Sequence, residues 1–238
     1  VLISAGDLCP AVYLGDKRTD IDSRSCKKAL EYMKENVFPK YRYVIDVDGN
    51  HSHYKFNYED TKNAMMSYFS DVPNYIHLEN QDFMLDDVLF IGSTLWTNFD
   101  NGNPIKMSRA RYGMNDFRII QYKDSIFTPS DALFIHNQSL DWITRRLREY
   151  SNNKTVIVTH HAPSMKSHND RHSSGLEAAY CSSLEYVMDF NPHIKYWIHG
   201  HTHDNVNYKI NETTVFSNQC GYHGEPTYRE FQPAIIEI

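Results

Sequence analysis

The sequence predicts a mixed α/β domain, and two observations lead to that class. Short apolar runs of strand length, rich in β-branched and aromatic residues, recur along the 238 residues. In the first part of the chain they alternate with segments whose apolar residues follow the i, i+3, i+4, i+7 spacing of an amphipathic helix. Strands that alternate with helices favour parallel pairing within a buried sheet. From Lys195 onward the strands follow one another without long helices between them, so antiparallel pairing is expected there.

The predicted elements follow from these patterns in chain order. Seven runs are predicted strands, at residues 1–5, 43–47, 88–91, 155–159, 195–199, 213–217 and 234–238. Two segments, 20–37 and 130–150, carry a helical apolar stripe and are predicted helices. Ser130, which directly follows Pro129, is the expected N-cap of the second helix. No repeat, low-complexity tract or Pro/Gly/Ser-rich linker divides the sequence, so we expect one domain.

Composition narrows the class of protein. The 24 Lys and Arg against 30 Asp and Glu give a net charge of −6, which argues against electrostatic binding of long nucleic acid. No apolar run approaches the roughly 20 residues that a membrane-spanning helix needs. The four cysteines are far apart and form no CxxC pair, so we expect reduced thiols and a cytoplasmic protein.

Polar residues with metal-binding chemistry follow four of the predicted strands. In an open α/β sheet, ligands bind outside the carboxyl ends of the strands, so these residues are expected to surround one crevice. Neighbouring glycines allow the backbone to turn sharply there. The four segments are Gly6-Asp7, Asp48-Gly49-Asn50-His51, Thr159-His160-His161 and His199-Gly200-His201-Thr202-His203.

The side chains in these segments suit divalent transition metals. Imidazole, carboxylate and amide donors without thiolate indicate borderline metals that keep open positions for water. One tetrahedral zinc would need only four ligands, whereas two ions about 3.5–4 Å apart use more and can clamp an in-line displacement at phosphorus. Such ions supply hydroxide at neutral pH, and a histidine is suited to protonating the leaving oxygen.

These four segments, in this order, resemble the motifs of the calcineurin-like metallophosphoesterases. The segments Gly92-Ser93-Thr94-Leu95-Trp96-Thr97 and 111–118 (RYGMNDFR) resemble a bacterial and phage branch of that family, and the resemblance covers nearly the whole chain. It implies one metallophosphoesterase domain over residues 1–238 with a four-layer α/β/β/α sandwich and mixed sheets. It also implies two divalent metals, expected to be Mn²⁺, with Fe, Zn or Ni as alternatives.

The resemblance assigns roles to individual residues. Asp7 would bridge the two metals, with Asn50, His160 and His201 completing one shell and His203 serving the other. His51 would be the general acid. Asn50 and His51 would contact the substrate phosphate. Arg111 is a further candidate for that contact, although arginines more commonly pair with surface carboxylates. His161 is interpreted as a packing or supporting residue.

The sequence departs from the family pattern at two places. The Asp-x-His motif of the family's first strand does not occur before Gly6-Asp7, and Asp170-Arg171-His172 has no strand before it, so we do not accept it as a substitute. Either a first strand lies upstream of Val1 or one metal site is lost, and we expect the former. At Ser52 many relatives carry an acid that orients the histidine, so His53 or the loop backbone is expected to hold His51.

The predicted function is therefore metal-dependent hydrolysis of phosphoesters, as a phosphodiesterase or phosphatase. The nucleophile is expected to be hydroxide held by a dinuclear metal centre. The expected substrate is a small phosphoester or nucleotide, without membrane association. A metal-dependent nuclease and a catalytically silent scaffold of the same fold are the alternatives.

Overall fold

Two stacked sheets organise the protein, as seen in a computed structural model that describes residues 1–15, 20–168 and 175–238. The strands are β1 (Leu2–Ser4), β2 (Val44–Asp46), β3 (Tyr75–His77), β4 (Gln81–Leu85), β5 (Val88–Ser93), β6 (Gln121–Tyr122), β7 (Ser125–Ile126), β8 (Lys154–Thr159), β9 (Ile194–His199), β10 (Val206–Ile210) and β11 (Thr213–Ser217). The helices are α1 (Ile21–Asn36), α2 (Tyr58–Tyr68), α3 (Phe99–Gly102), α4 (Pro104–Gly113), α5 (Asp116–Ile119), α6 (Pro129–Glu149), α7 (Glu185–Asp189) and α8 (Pro226–Glu230).

The strand order confirms a parallel arrangement for most of the fold. One sheet is β1-β2-β3, with both pairings parallel. A six-stranded sheet has the order β10-β11-β9-β8-β5-β4, in which β5, β8, β9 and β11 run parallel, and β6 and β7 form a separate two-stranded antiparallel sheet. Antiparallel pairing occurs where hairpins close the two edges, at β4–β5 and β10–β11. The antiparallel prediction for the last third is therefore confirmed only for β10–β11, because β11 pairs with β9 in parallel.

Apolar clusters fill the space between four layers. Ile45, Phe90 and Val156 belong to a core shared by the two sheets. Leu30 of α1 and Met65 of α2 pack with Val44 beneath the three-stranded sheet. Helices α6 and α7 cover the outer face of the six-stranded sheet through another cluster, which includes Ile143, Leu147, Val187 and Trp197. The α/β/β/α sandwich predicted from the family resemblance is confirmed.

Several local predictions need correction. Residues 234–238 form no strand; Ile235 is 94% exposed, so this apolar run lies outside the sheets. Thr128, not Ser130, caps α6: its hydroxyl accepts a hydrogen bond from the Asp131 amide, and the Asp131 carboxylate accepts one from the Thr128 amide. This reciprocal capping box places Pro129 in the first turn of the helix, where a missing N–H costs nothing.

A disulfide joins Cys9 to Cys26, which shows that the prediction of four reduced cysteines is wrong. It ties the chain just after Asp7 to helix α1. Cys181 and Cys220 are free. The disulfide also removes the argument on which the cytoplasmic expectation rested. Within the described parts of the chain, no helix has both the length and the apolar character to cross a membrane.

A buried ionic group lies beneath the loop that follows β2. His77 on β3 lies 3.6 Å from an Asp46 oxygen and 3.3 Å from an Asp48 oxygen, and the Tyr75 hydroxyl donates to Asp46. Burial alone would lower the pKa of His77, but the two carboxylates outweigh it and raise the pKa to about 10. The imidazolium therefore compensates the two buried carboxylates and fixes β2 against β3 where the chain enters Gly49-Asn50-His51.

Candidate metal centre and active site

The predicted site residues lie where strands from both sheets end. Asp7 follows β1, Asn50 and His51 follow β2, His160 follows β8, and His201 and His203 follow β9. A cleft of about 1300 Å³ opens at this edge of the fold, and all of these residues except His160 line it. His160 is buried directly beneath, with 2% of its surface exposed. The two sheets thus bring four segments that are distant in sequence to one place.

Three of the five predicted metal ligands contact a fourth, His160. Nε2 of His160 lies 2.9 Å from Oδ1 of Asn50 and 3.4 Å from Oδ2 of Asp7. Nδ1 of His201 lies 3.2 Å from the same His160 nitrogen. Nε2 of His201 is buried and has no hydrogen-bond partner among the described residues. Carboxylate, amide and imidazole donors therefore converge on a small volume.

A backbone contact sets the orientation of His160. Its Nδ1 lies 2.8 Å from the carbonyl oxygen of Ala5, so Nδ1–H donates there and Nε2 faces Asn50 and Asp7. Burial opposes charge on both groups, but their mutual attraction prevails, which raises the pKa of His160 and lowers that of Asp7. A carboxylate oxygen, an amide oxygen and an imidazole nitrogen that face one another repel unless a positive charge lies between them. Here a proton on Nε2 of His160 can supply that charge.

Asp7 and Asn50 are each fixed by a second contact. The backbone N–H of His51 donates to Oδ1 of Asp7 over 2.9 Å, and Asp7 itself has a left-handed backbone with φ of 60°. The Asn50 amide nitrogen donates to Oδ1 of Asp116 over 2.8 Å, which turns Oδ1 of Asn50 toward His160. Burial raises the pKa of Asp116, a residue that is 1% exposed.

His203 stands apart from this convergence. Its Nδ1 lies 2.9 Å from the Glu225 carboxylate, and the Tyr222 ring packs edge-on against it at 4.4 Å between centroids. Across the described residues, no three His, Cys, Asp or Glu side chains by themselves form a metal-holding cluster. Asn50, which is not one of these four residue types, adds an amide oxygen to the contacts around His160. Asp170 and His172 lie outside the described residues.

His51 is held by two tyrosines. Its ring stacks on Tyr54 at 4.2 Å, and its Nε2 lies 3.1 Å from the Tyr222 hydroxyl. The expectation that His53 holds it is wrong, because Nδ1 of His53 is buried against the Thr61 hydroxyl at 2.9 Å. Ser52 instead closes the loop, its hydroxyl accepting from the Gly49 amide over 3.1 Å.

The remaining candidates lie elsewhere. The Arg111 guanidinium donates to the Phe117 carbonyl, and Arg111 is absent from the described residues that line the cleft. His161 is buried against the Thr94 carbonyl, and its pKa lies well below the ordinary value because burial and the charge of His160 oppose protonation. Its burial agrees with the interpretation of a packing or supporting residue. Sequence reasoning missed Tyr54, Asp116, Tyr222 and Glu225; only Asp116 lay in a segment that the family resemblance had marked.

The donor set fits a divalent metal ion. Asp7, Asn50, His160 and His201 present one carboxylate, one amide oxygen and two imidazoles, a combination that borderline divalent metals accept. For a second ion, the candidates within the described residues are Asp7 and His203. The glycines beside the site leave room for this close approach: a Cβ on Gly49 would lie 2.0 Å from Oδ1 of Asp7.

Comparisons with known proteins agree with the fold. The family model for calcineurin-like phosphoesterases matches residues 1–205. An uncharacterized protein of Acanthamoeba polyphaga mimivirus is 28% identical over an alignment of 249 positions. The alignment covers 98% of this chain and 85% of the relative. The crystal structure of phosphopantetheinyl hydrolase from Mycobacterium tuberculosis aligns with a TM-score of 0.69 at 14% identity, covering 98% of this chain and 82% of that one. At that identity the structural match shows the shared fold.

Substituting Gly49 tests whether this close approach is needed for metal binding. In Gly49→Ala the new Cβ would also lie 2.6 Å from the Asp7 backbone nitrogen, so Asp7 must move away from Asn50 and His160. We expect Mn²⁺ affinity, measured by titration calorimetry, to fall by about tenfold or more. Gly15→Ala is the matched control, since its Cβ would meet nothing within 4 Å. Equal affinities of the two variants would contradict this description of the site.

Proposed function

We propose that this chain, which belongs to the calcineurin-like phosphoesterase family and is thus a phosphoester hydrolase, acts through two divalent metal ions with His51 as the general acid. Asp7, Asn50, His160 and His201 would hold one ion, and Asp7 with His203 would contribute to the other. When bound, the ions would supply positive charge to the phosphoryl oxygens and lower the pKa of an attacking water. The observation that carries the proposal is the convergence of Asp7, Asn50, His160 and His201 at the base of one cleft.

The position of His51 suits proton donation to a leaving group. The ring lines the cleft, and its Nε2 already makes a hydrogen bond with an oxygen, the Tyr222 hydroxyl. A leaving-group oxygen in that position would receive the Nε2 proton as its bond to phosphorus breaks. Stacking on Tyr54 limits rotation of the ring, so the proton is directed into the cleft.

The cleft favours a small substrate over long nucleic acid. Its lining includes the acidic residues Asp116, Asp204, Glu225 and Glu230. Among the described lining residues, Lys166 alone is a lysine or arginine. The many phosphates of a nucleic-acid strand would be repelled by these acidic side chains. Residues 222–230, which lie beyond the matched residues 1–205, close one side of the cleft. The name of the mycobacterial neighbour, a phosphopantetheinyl hydrolase, is consistent with a small phosphoester.

Metal-dependent hydrolysis tests the proposal directly. The protein, purified without chelator and supplied with Mn²⁺, is expected to cleave a chromogenic phosphomonoester or phosphodiester. EDTA should abolish the activity, because charge on the phosphoryl oxygens is then no longer neutralised, and added Mn²⁺ should restore it. Absence of both metal binding and hydrolysis with Mn²⁺, Fe²⁺, Zn²⁺ and Ni²⁺ would favour a silent scaffold. Cleavage of DNA, but not of small esters, would favour a nuclease.

Replacing His51 separates acid catalysis from metal binding. In His51→Ala we expect kcat for a substrate with a poor alkoxide leaving group to fall by about 10²–10⁴-fold, because that oxygen needs a proton. A 4-nitrophenyl ester should lose far less, since its leaving group departs unprotonated. Mn²⁺ affinity, measured in parallel, should be unchanged. An equal loss for both substrates would contradict the role of His51 as an acid.

A further inference from the structure

The segment 111–118 lines the cleft with four residues, 113–116, and one of them, Asp116, contacts Asn50. Asp116 opens helix α5 and is almost completely buried, with 1% of its surface exposed. Its Oδ1 accepts a hydrogen bond from the Asn50 amide nitrogen over 2.8 Å, across 66 residues of sequence. Its Oδ2 lies 3.4 Å from the Tyr54 hydroxyl. Asp116 therefore touches a candidate metal ligand from the side that faces away from His160.

The contact matters because an amide has two chemically different ends. With its oxygen toward His160, Asn50 offers a lone pair to the site; with its NH₂ group there, it would offer two hydrogens and repel a cation. The Tyr54 hydroxyl, 3.3 Å from the Asn50 nitrogen, can donate or accept and so tolerates either orientation. A carboxylate can only accept, so Asp116 stabilises one orientation alone.

We propose that Asp116 is a positioning residue that holds the Asn50 amide with its oxygen toward Asp7 and His160. The inference rests on the proposed metal-dependent function. Hydrogen-bond partners of metal ligands commonly change metal affinity by about 10–100-fold when they are removed, and we expect an effect of that size. The segment 111–118 thereby acquires a function at the site, through Asp116 instead of Arg111.

Two variants remove the selection of one Asn50 orientation to different degrees. Asp116→Leu keeps much of the side-chain volume but removes the acceptor, and should weaken Mn²⁺ binding by about tenfold or more. Asp116→Asn keeps the shape but can donate as well as accept, so it no longer selects one orientation of Asn50. It should also weaken Mn²⁺ binding, but by less than Asp116→Leu, because the favourable pairing is still possible. Affinity is measured on the full chain by electron paramagnetic resonance of free Mn²⁺. Mn²⁺ affinity equal to that of the parent protein in Asp116→Leu, or a larger loss in Asp116→Asn than in Asp116→Leu, would contradict this role.

The Asn50→Asp background provides the stricter test. A carboxylate at position 50 has oxygens at both ends, so it presents a metal ligand in either orientation and needs no partner to choose between them. Adding Asp116→Leu to Asn50→Asp should therefore cause no loss of Mn²⁺ affinity. It also removes the contact between two carboxylates that Asn50→Asp creates, since Oδ1 of Asp116 lies 2.8 Å from the replaced amide nitrogen. A further loss of tenfold in this background would overturn the proposal, because it would show that Asp116 supports the site through packing or charge.

Folding and function are monitored separately. Circular dichroism and thermal unfolding without metal report whether each variant is folded; if Asp116→Leu is not, Asp116→Ala replaces it with the same expectations. If the parent protein neither binds Mn²⁺ nor cleaves phosphoesters, the proposed function fails. If the parent does both and the acceptor-lacking variant binds Mn²⁺ as tightly as the parent, only the role of Asp116 fails.

Discussion

The hydrogen bond between the His160 imidazole and the Ala5 carbonyl is the constraint on which the site depends. It joins residues 155 positions apart and links the end of β1 to the end of β8, one from each sheet. Because Nδ1 is committed to that carbonyl, Nε2 must face Asn50 and Asp7. The approach is close: a Cβ on Gly6 would lie 2.4 Å from Nδ1 of His160, and one on Gly200 would lie 2.6 Å from the Ala5 oxygen.

The sandwich supplies the geometry that this contact needs. Ile45, Phe90 and Val158 help to pack the two sheets face to face, so the ends of β1 and β2 lie beside those of β8 and β9. Under the β2 loop, protonated His77 offsets two buried carboxylates, whose neighbouring Gly49-Asn50-His51 turn is thereby fixed. Packing thus determines which segments meet, and polar contacts determine how their side chains are oriented.

The sequence predicted the fold class and the convergence of Asp7, Asn50, His160, His201 and His203, because each follows an apolar run with a recognisable motif. The structure brings the first four together and leaves His203 apart. The sequence did not predict contacts made by residues that lie outside such motifs. Tyr222 reaches His51 over 171 residues, and no periodicity marks that pairing. The disulfide was not predicted, because cysteine spacing does not determine pairing. Residues 234–238 were predicted to be a strand, because an exposed apolar run has the same composition as a buried one. The ligand set and the acid role of His51 stay predictions.

Anomalous diffraction from crystals grown with Mn²⁺ tests the central claim most directly. The convergence of lone pairs predicts a manganese peak within coordination distance, about 2.0–2.4 Å, of an Asp7 oxygen, Oδ1 of Asn50 and a nitrogen of both His160 and His201. His160 should keep its hydrogen bond to the Ala5 carbonyl in that crystal. A peak remote from these four side chains, or an Asn50 amide whose nitrogen faces the ion, would contradict the account.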